Sequence, residues 1–375
     1  GDLTLTSATD VSLPASTLAG PFTQTPGSGT TTFTGATAVA GALDVTAAAI
    51  VVNAPLTGAG TTALTGALTT AAAGDLTRDG AVTLTGPLTA AGDITTADTA
   101  ILLTGNLVVA EAATPVFSTG AGGGGDVTVT GTTDGTAGGA AETLTVLAGT
   151  GNVTFTGAIG GTAPLGDLTL TSATDTMLAG ATLATTGALS LSGTGTTTLT
   201  SVGTIGGAET VSAGTLLVNG AQTVTGALAY TTTGATTVTA PLTTTAGSGG
   251  TVTVTHGGLL TLAAAGDISA DGAVTQAGAG AVSTAGDITT TNDAVSLATA
   301  VTLTGPVAIT TGAGAGDITV ASTLDGGQAL TLTAGTGNVL VSGAVGSTTP
   351  LASLTVASAT DTTFAPFEFQ DEQGR

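Results

Sequence analysis

AGTGNVTFTGAIGGTAPLGDLTLTSATD, residues Ala148–Asp175, returns as AGTGNVLVSGAVGSTTPLASLTVASATD at Ala334–Asp361. Eighteen of the 28 positions are identical without a gap. Substitutions keep the class of the side chain: Ile159 against Val345, Leu170 against Val356, Thr156 against Ser342. The end of the unit also opens the chain, because Gly1–Asp10 repeats Gly166–Asp175 letter for letter. Within the stretch, Val153-Thr154-Phe155-Thr156 and Leu168-Thr169-Leu170-Thr171 alternate apolar and hydroxyl residues with period two. That is the period of a strand with one face buried. A unit this regular, built from Thr, Gly, Ala, Leu and Val, signals stacked β-structure.

The same alternation runs outward in both directions. Leu3-Thr4-Leu5-Thr6, Val82-Thr83-Leu84-Thr85, Val127-Thr128-Val129-Thr130, Val252-Thr253-Val254-Thr255 and Leu330-Thr331-Leu332-Thr333 all carry it. These aliphatics and Phe155 are expected to point inward, with the intervening Thr outward. Gly follows many of these strands, as at Gly66, Gly86 and Gly105, and frees the backbone for a tight corner. Those three glycines are twenty and nineteen residues apart; Gly74-Asp75 recurs as Gly92-Asp93, and Gly266-Asp267 as Gly286-Asp287. A step of about 20 residues holds two or three short strands and their corners, one coil of a solenoid. Residues 1–165 and 166–351 read as two copies of one long unit, with a partial third at 352–363. The expected fold is all-β: an elongated, continuous parallel β-solenoid over residues 1–363, closed by a Phe-rich acidic tail at 364–375.

Composition narrows the function. The chain has no Cys, two basic residues against 24 acidic ones and a net charge of −22. Disulfides and thiol chemistry are excluded, and so strong an acidic excess disfavours nucleic acid and anionic membranes. Gly recurs every few residues in the uncharged stretches, so none reads as a membrane helix. The chain starts inside a repeat and reads as a mature product or a fragment of something longer. Catalysis lacks a constellation: His256 stands alone and is expected at a surface corner, and Arg78, between Asp75 and Asp79, is expected to form an ion pair.

The acids are mostly Asp at corners. A 20-residue coil stacks Asp75 over Asp93, with Asp79 near Asp98, and Asp267 over Asp287, with Asp271 near Asn292 or Asp293. Rungs ~4.8 Å apart set like charges against each other at a cost of about 1 kcal/mol in water. Two readings stand. Ca²⁺ would remove the repulsion by taking carboxylate oxygens, or the Asp side chains accept backbone N–H groups as in ordinary turns. Pairs such as Thr4/Thr6, Thr128/Thr130 and Thr253/Thr255 also raise ice binding as a remote alternative to ordinary exposed strand chemistry.

The motifs φ-T-φ-T-G, GD[LI]T and GN[VL] resemble the β-strand-repeat regions of bacterial surface proteins of the filamentous-haemagglutinin and autotransporter adhesin type. The resemblance implies a right-handed β-helix at the outside of a cell. The expectation is therefore a non-enzymatic extracellular or cell-surface protein, a subunit of a head-to-tail homopolymeric filament, sheath or matrix fibre. Its alternative is a monomeric adhesin stalk that binds a cell or glycan. In the filament, Leu3 and Leu5 of one subunit would meet Leu354 and Val356 of the next, with Phe364, Phe367 and Phe369 clasping the joint.

Overall fold

The computed structural model describes residues 1–6, 8–120, 122–137 and 142–365, with Ser172 and Ser248 described by backbone alone. Among these residues every regular element is a β-strand except one 3₁₀ turn at Gly247–Gly249. All pairings are parallel and join each strand to the strand one coil onward. The result is a β-solenoid of about 17 turns with coils of ~21 residues. The chain divides into two compact units, Gly1–Gly195 and Thr196–Arg375.

In the first unit each coil contributes one strand to each of three rows. The first row runs from Leu3–Leu5 through the opening halves of the long strands Phe22–Phe33, Leu43–Val52 and Thr62–Thr70. It continues through Val82–Thr85, Ile101–Leu103, Val127–Val129 and Val153–Phe155 to Thr176–Leu178. The second row begins at Val11–Leu13, and the third at Ser16–Leu18. The second unit has the same plan, with rows that begin at Thr196–Leu199, Val202–Ile205 and Glu209–Ala213.

Alternation does what the sequence implies. Val127, Val129, Val153, Phe155, Leu168, Leu170, Leu330 and Leu332 are buried at 0–1 % exposure, and the Thr between them point away from the core. Leu3 and Leu5 are half-buried. In an interior strand every other side chain leaves water, which at roughly 1.5–3 kcal/mol per large aliphatic supplies the main stabilisation of each coil.

The long repeat is out of step with the rows. Leu3–Leu5 lies in the first row of its unit, yet its letter-for-letter copy Leu168–Ala173 lies in the third, paired with Leu144–Leu147 and Leu189–Gly193. Seven first-row steps take the chain from Leu3 to Val153, and the copy arrives two rows later. What the repeat preserves is the rung beneath. Leu144 and Val146 sit under Leu168 and Leu170, as Leu330 and Leu332 sit under Leu354 and Val356. The three rows make the same demand, apolar in and hydroxyl out, so a strand can move between them without penalty.

Candidate functional site

The corner carboxylates are the most repeated polar feature, and they point along the stack. Asp75 Oδ1 accepts the amide of Asp93 at 3.0 Å, and Asp93 Oδ1 accepts that of Val116 at 2.9 Å. Asp267 Oδ1 accepts the amide of Asp287 at 2.8 Å, and Asp287 Oδ1 that of Ala308 at 2.7 Å. Both expected pairs are therefore stacked, and each carboxylate ties its own coil to the next. Asn takes the same part: Asn152 donates its amide to Asp126, and Asn152 Oδ1 accepts from Asp175. Asp10, Asp167, Asp317 and Asp325 repeat the bond.

The second members of the expected metal set are placed differently. Asp79 is exposed. Asp98 adopts φ 59° and donates its amide to Thr119 O, with Gly120 and Gly123 packed against its side chain. Its counterpart in the other unit is Asn292, with φ 64°, beneath Gly312 and Gly314. Asp271 accepts the amide of Gly247 through Oδ2 at 2.7 Å, and the carbonyl of Asp293 accepts the Thr290 hydroxyl. Among the described residues no three or more His, Asp or Glu side chains converge as a metal-holding group.

Two side chains depart from expectation. Arg78 does not form an ion pair; it is 1 % exposed and points inward from the strand Leu76–Arg78. Its guanidinium donates to four backbone carbonyls of the two preceding coils: Val39 and Thr57 through Nη1 (2.9 and 2.8 Å), Gly41 through Nη2 (2.7 Å) and Gly60 through Nε (3.3 Å). The planar fork suits such a set of acceptors. Burial holds the guanidinium pKa below its usual value, and the charge of Asp79 opposes that shift. His256 is likewise not at the surface, at 1 % exposure. Its Nδ1 lies 2.7 Å from Gly258 O and its Nε2 2.7 Å from Gln276 Nε2, so Nδ1 donates and Nε2 accepts. Gln276 then reaches Thr299 with both ends of its amide.

Sequence reasoning also passed over Glu209. It is fully buried, and Tyr230 donates its hydroxyl to Oε1 at 2.8 Å from the following coil. Glu142, equally buried, accepts the Thr136 hydroxyl beside a cavity of about 220 Å³.

Of the expected joint residues, Leu354 is 36 % exposed, and the strand Ser353–Ser358 pairs with Ala329–Thr333. Phe364 pairs with Val341 at the end of its row. Phe367 and Phe369 lie outside the described residues.

Stacked parallel coils of this kind make the chain a β-solenoid repeat protein. No family model, no curated protein and no solved structure matches it.

Proposed function

We propose that the chain is a non-enzymatic structural protein of the cell exterior, a subunit of a head-to-tail filament, sheath or matrix fibre. The observation that carries this reading is the direction of its polar chemistry. Asp and Asn side chains at corner after corner bond to the neighbouring coil, and Arg78 bonds to the two coils before it, so the sequence invests in stacking along one axis. Coils of matching register stack along that axis, and a contact between unlike faces of two such stacks does not close and propagates a fibre.

Electron microscopy of residues 1–375 over a concentration series tests this. Uniform fibres are expected, with single rods once 364–375 is removed. Fibres from the shortened chain would reduce the tail to a cap. Isolated rods at every concentration would sink the filament and leave the adhesin stalk.

One observation favours ice binding as a second reading. Thr6, Thr25, Thr46, Thr65, Thr85, Thr104, Thr130 and Thr156 fall on eight successive rungs of one column, although the corners between them vary in length. Several hydroxyls donate to the coil before, as Thr25 does to Leu5 O and Thr104 to Leu84 O, which fixes their orientation. Thermal hysteresis that disappears with Thr85→Lys would put ice first. Its absence in the wild type leaves the column as inter-coil bonding.

A further inference from the structure

Glu209 opens the strand Glu209–Ala213, whose alternate side chains Glu209, Val211 and Ala213 all face the core. Leu228 lies opposite it and Tyr230 opposite Val211. Tyr230 is itself fully buried, and among the described residues its hydroxyl makes the single hydrogen bond to the carboxyl, at Oε1. The other oxygen, Oε2, is buried without a partner. A carboxylate so placed has one neutral donor and no cation, while a buried anion needs pairing or several donors. The protonated acid carries no net charge and costs far less to bury.

We propose that Glu209 is a proton-dependent latch: neutral, it lets the coil Glu209–Thr232 close, and on losing its proton it loosens that coil. Tyr230 is the titratable group bonded to it, and its neighbours on the two paired strands, Val211, Ala213 and Leu228, are apolar. Burial is the larger influence on the carboxyl and raises its pKa to about 7; the Tyr230 hydrogen bond pulls it back down. Burial and the neighbouring Glu209 charge keep the Tyr230 hydroxyl well above its own usual range, so it stays a donor.

The sign follows from comparing the two states. In the opened coil the carboxyl ionises near 4.5, and in the closed coil near 7. The open state therefore binds fewer protons between those values. Closure is strongest below pH 4.5, weakens as pH rises to about 7 and is level above it. A difference of that size corresponds to about a 300-fold change in the opening equilibrium. This latch is independent of whether the chain polymerises.

Amide hydrogen exchange of the full chain, corrected for intrinsic rates, reads the opening of Glu209–Ala213 and Leu228–Thr232 directly. Opening of the wild type should rise about 150-fold between pH 4.5 and 8. Glu209→Gln should flatten that rise, and Tyr230→Phe should push it to higher pH, because the phenol no longer favours the anion. A Glu209→Gln profile that parallels the wild type overturns the proposal. An infrared difference spectrum of the wild type alone, pH 6 against pH 8.5, serves should the variants fold poorly. The band of a protonated, water-shielded carboxylic acid is expected, and an ionised carboxylate band in its place also overturns the proposal.

Discussion

Two corners of the molecule carry nearly the same sequence and solve the same packing problem with different residues. Ala71–Asp79 (AAAGDLTRD) corresponds to Ala263–Asp271 (AAAGDISAD), and the strands beneath begin alike, Pro55-Leu56-Thr57 and Pro241-Leu242-Thr243. At the first corner Gly58 lies under Arg78; at the second Thr244 lies under Ala270. Gly58 has φ +146°, and a Cβ there would stand 1.8 Å from Val39 O and 2.3 Å from Arg78 Nη1. The missing side chain makes the room that the guanidinium occupies. Thr244 fills its own corner, donating its hydroxyl to Gly250 O and accepting the amide of Asp271 at 3.1 Å, so a small Ala270 suffices above it. The two positions form a compensating pair: Gly with Arg, or Thr with Ala. What a solenoid corner requires is that its inward carbonyls and amides be met, and it is indifferent to which coil supplies the partner.

The pairing breaks most severely when one member is moved alone. Gly58→Thr would force a β-branched residue onto a positive φ and into a carbonyl; about 4 kcal/mol or more of destabilisation is expected. Protection from hydrogen exchange should fall in the coils around Val39 and Leu76 and hold in the second unit. Arg78→Ala should cost roughly 3 kcal/mol, because carbonyls then face an empty space. Arg78→Lys should recover only part of that, since a point-like ammonium cannot span four acceptors. Urea melts of the three proteins rank them, and a neutral Arg78→Ala would show that water replaces the guanidinium. On the other side of the comparison, Thr244→Ala should cost about 1–2 kcal/mol for its two bonds. That loss should register in the second unit alone.

The alternation that placed the aliphatics also contained the information that was overlooked. Leu76-Thr77-Arg78 puts Arg78 on the same side as Leu76. Val252-Thr253-Val254-Thr255-His256 does the same for His256, and Glu209-Thr210-Val211 for Glu209. Expecting His256 at a surface corner and Arg78 in an ion pair, and passing over Glu209, gave the usual habitat of these residues more weight than their position in the strand. Period two is set by backbone geometry and holds regardless of side chain, whereas a charged residue enters a core wherever partners await it. The partners could not be read from sequence. Arg78 bonds to carbonyls 18 to 39 residues back, a reach that depends on how three coils stack. The row change between Leu3 and Leu168 is hidden for a related reason. The repeat length is visible, but corners of unequal length decide which row a copy enters.

The smallest effect concerns the stacked carboxylates, and its sign separates their two readings. Asp267 and Asp287 succeed one another, and each accepts an amide of the next coil through one oxygen. An Asn at either position keeps that acceptor and removes a charge. If the ladder is held by amides alone, Asp267→Asn relieves the repulsion with Asp287 and raises stability by roughly 0.5–1 kcal/mol at low salt. The gain should shrink as salt rises and the Debye length falls. If Ca²⁺ sits on the pair, the same substitution removes a ligand charge, lowers the melting temperature and makes it insensitive to chelator. The amide bonds already formed favour the first outcome: a modest rise for Asp267→Asn and an unchanged wild-type melt in chelator. A drop in both measurements would instead place a cation at this corner, and Asp75→Asn, in the matching Asp75/Asp93 pair of the first unit, should then behave the same way.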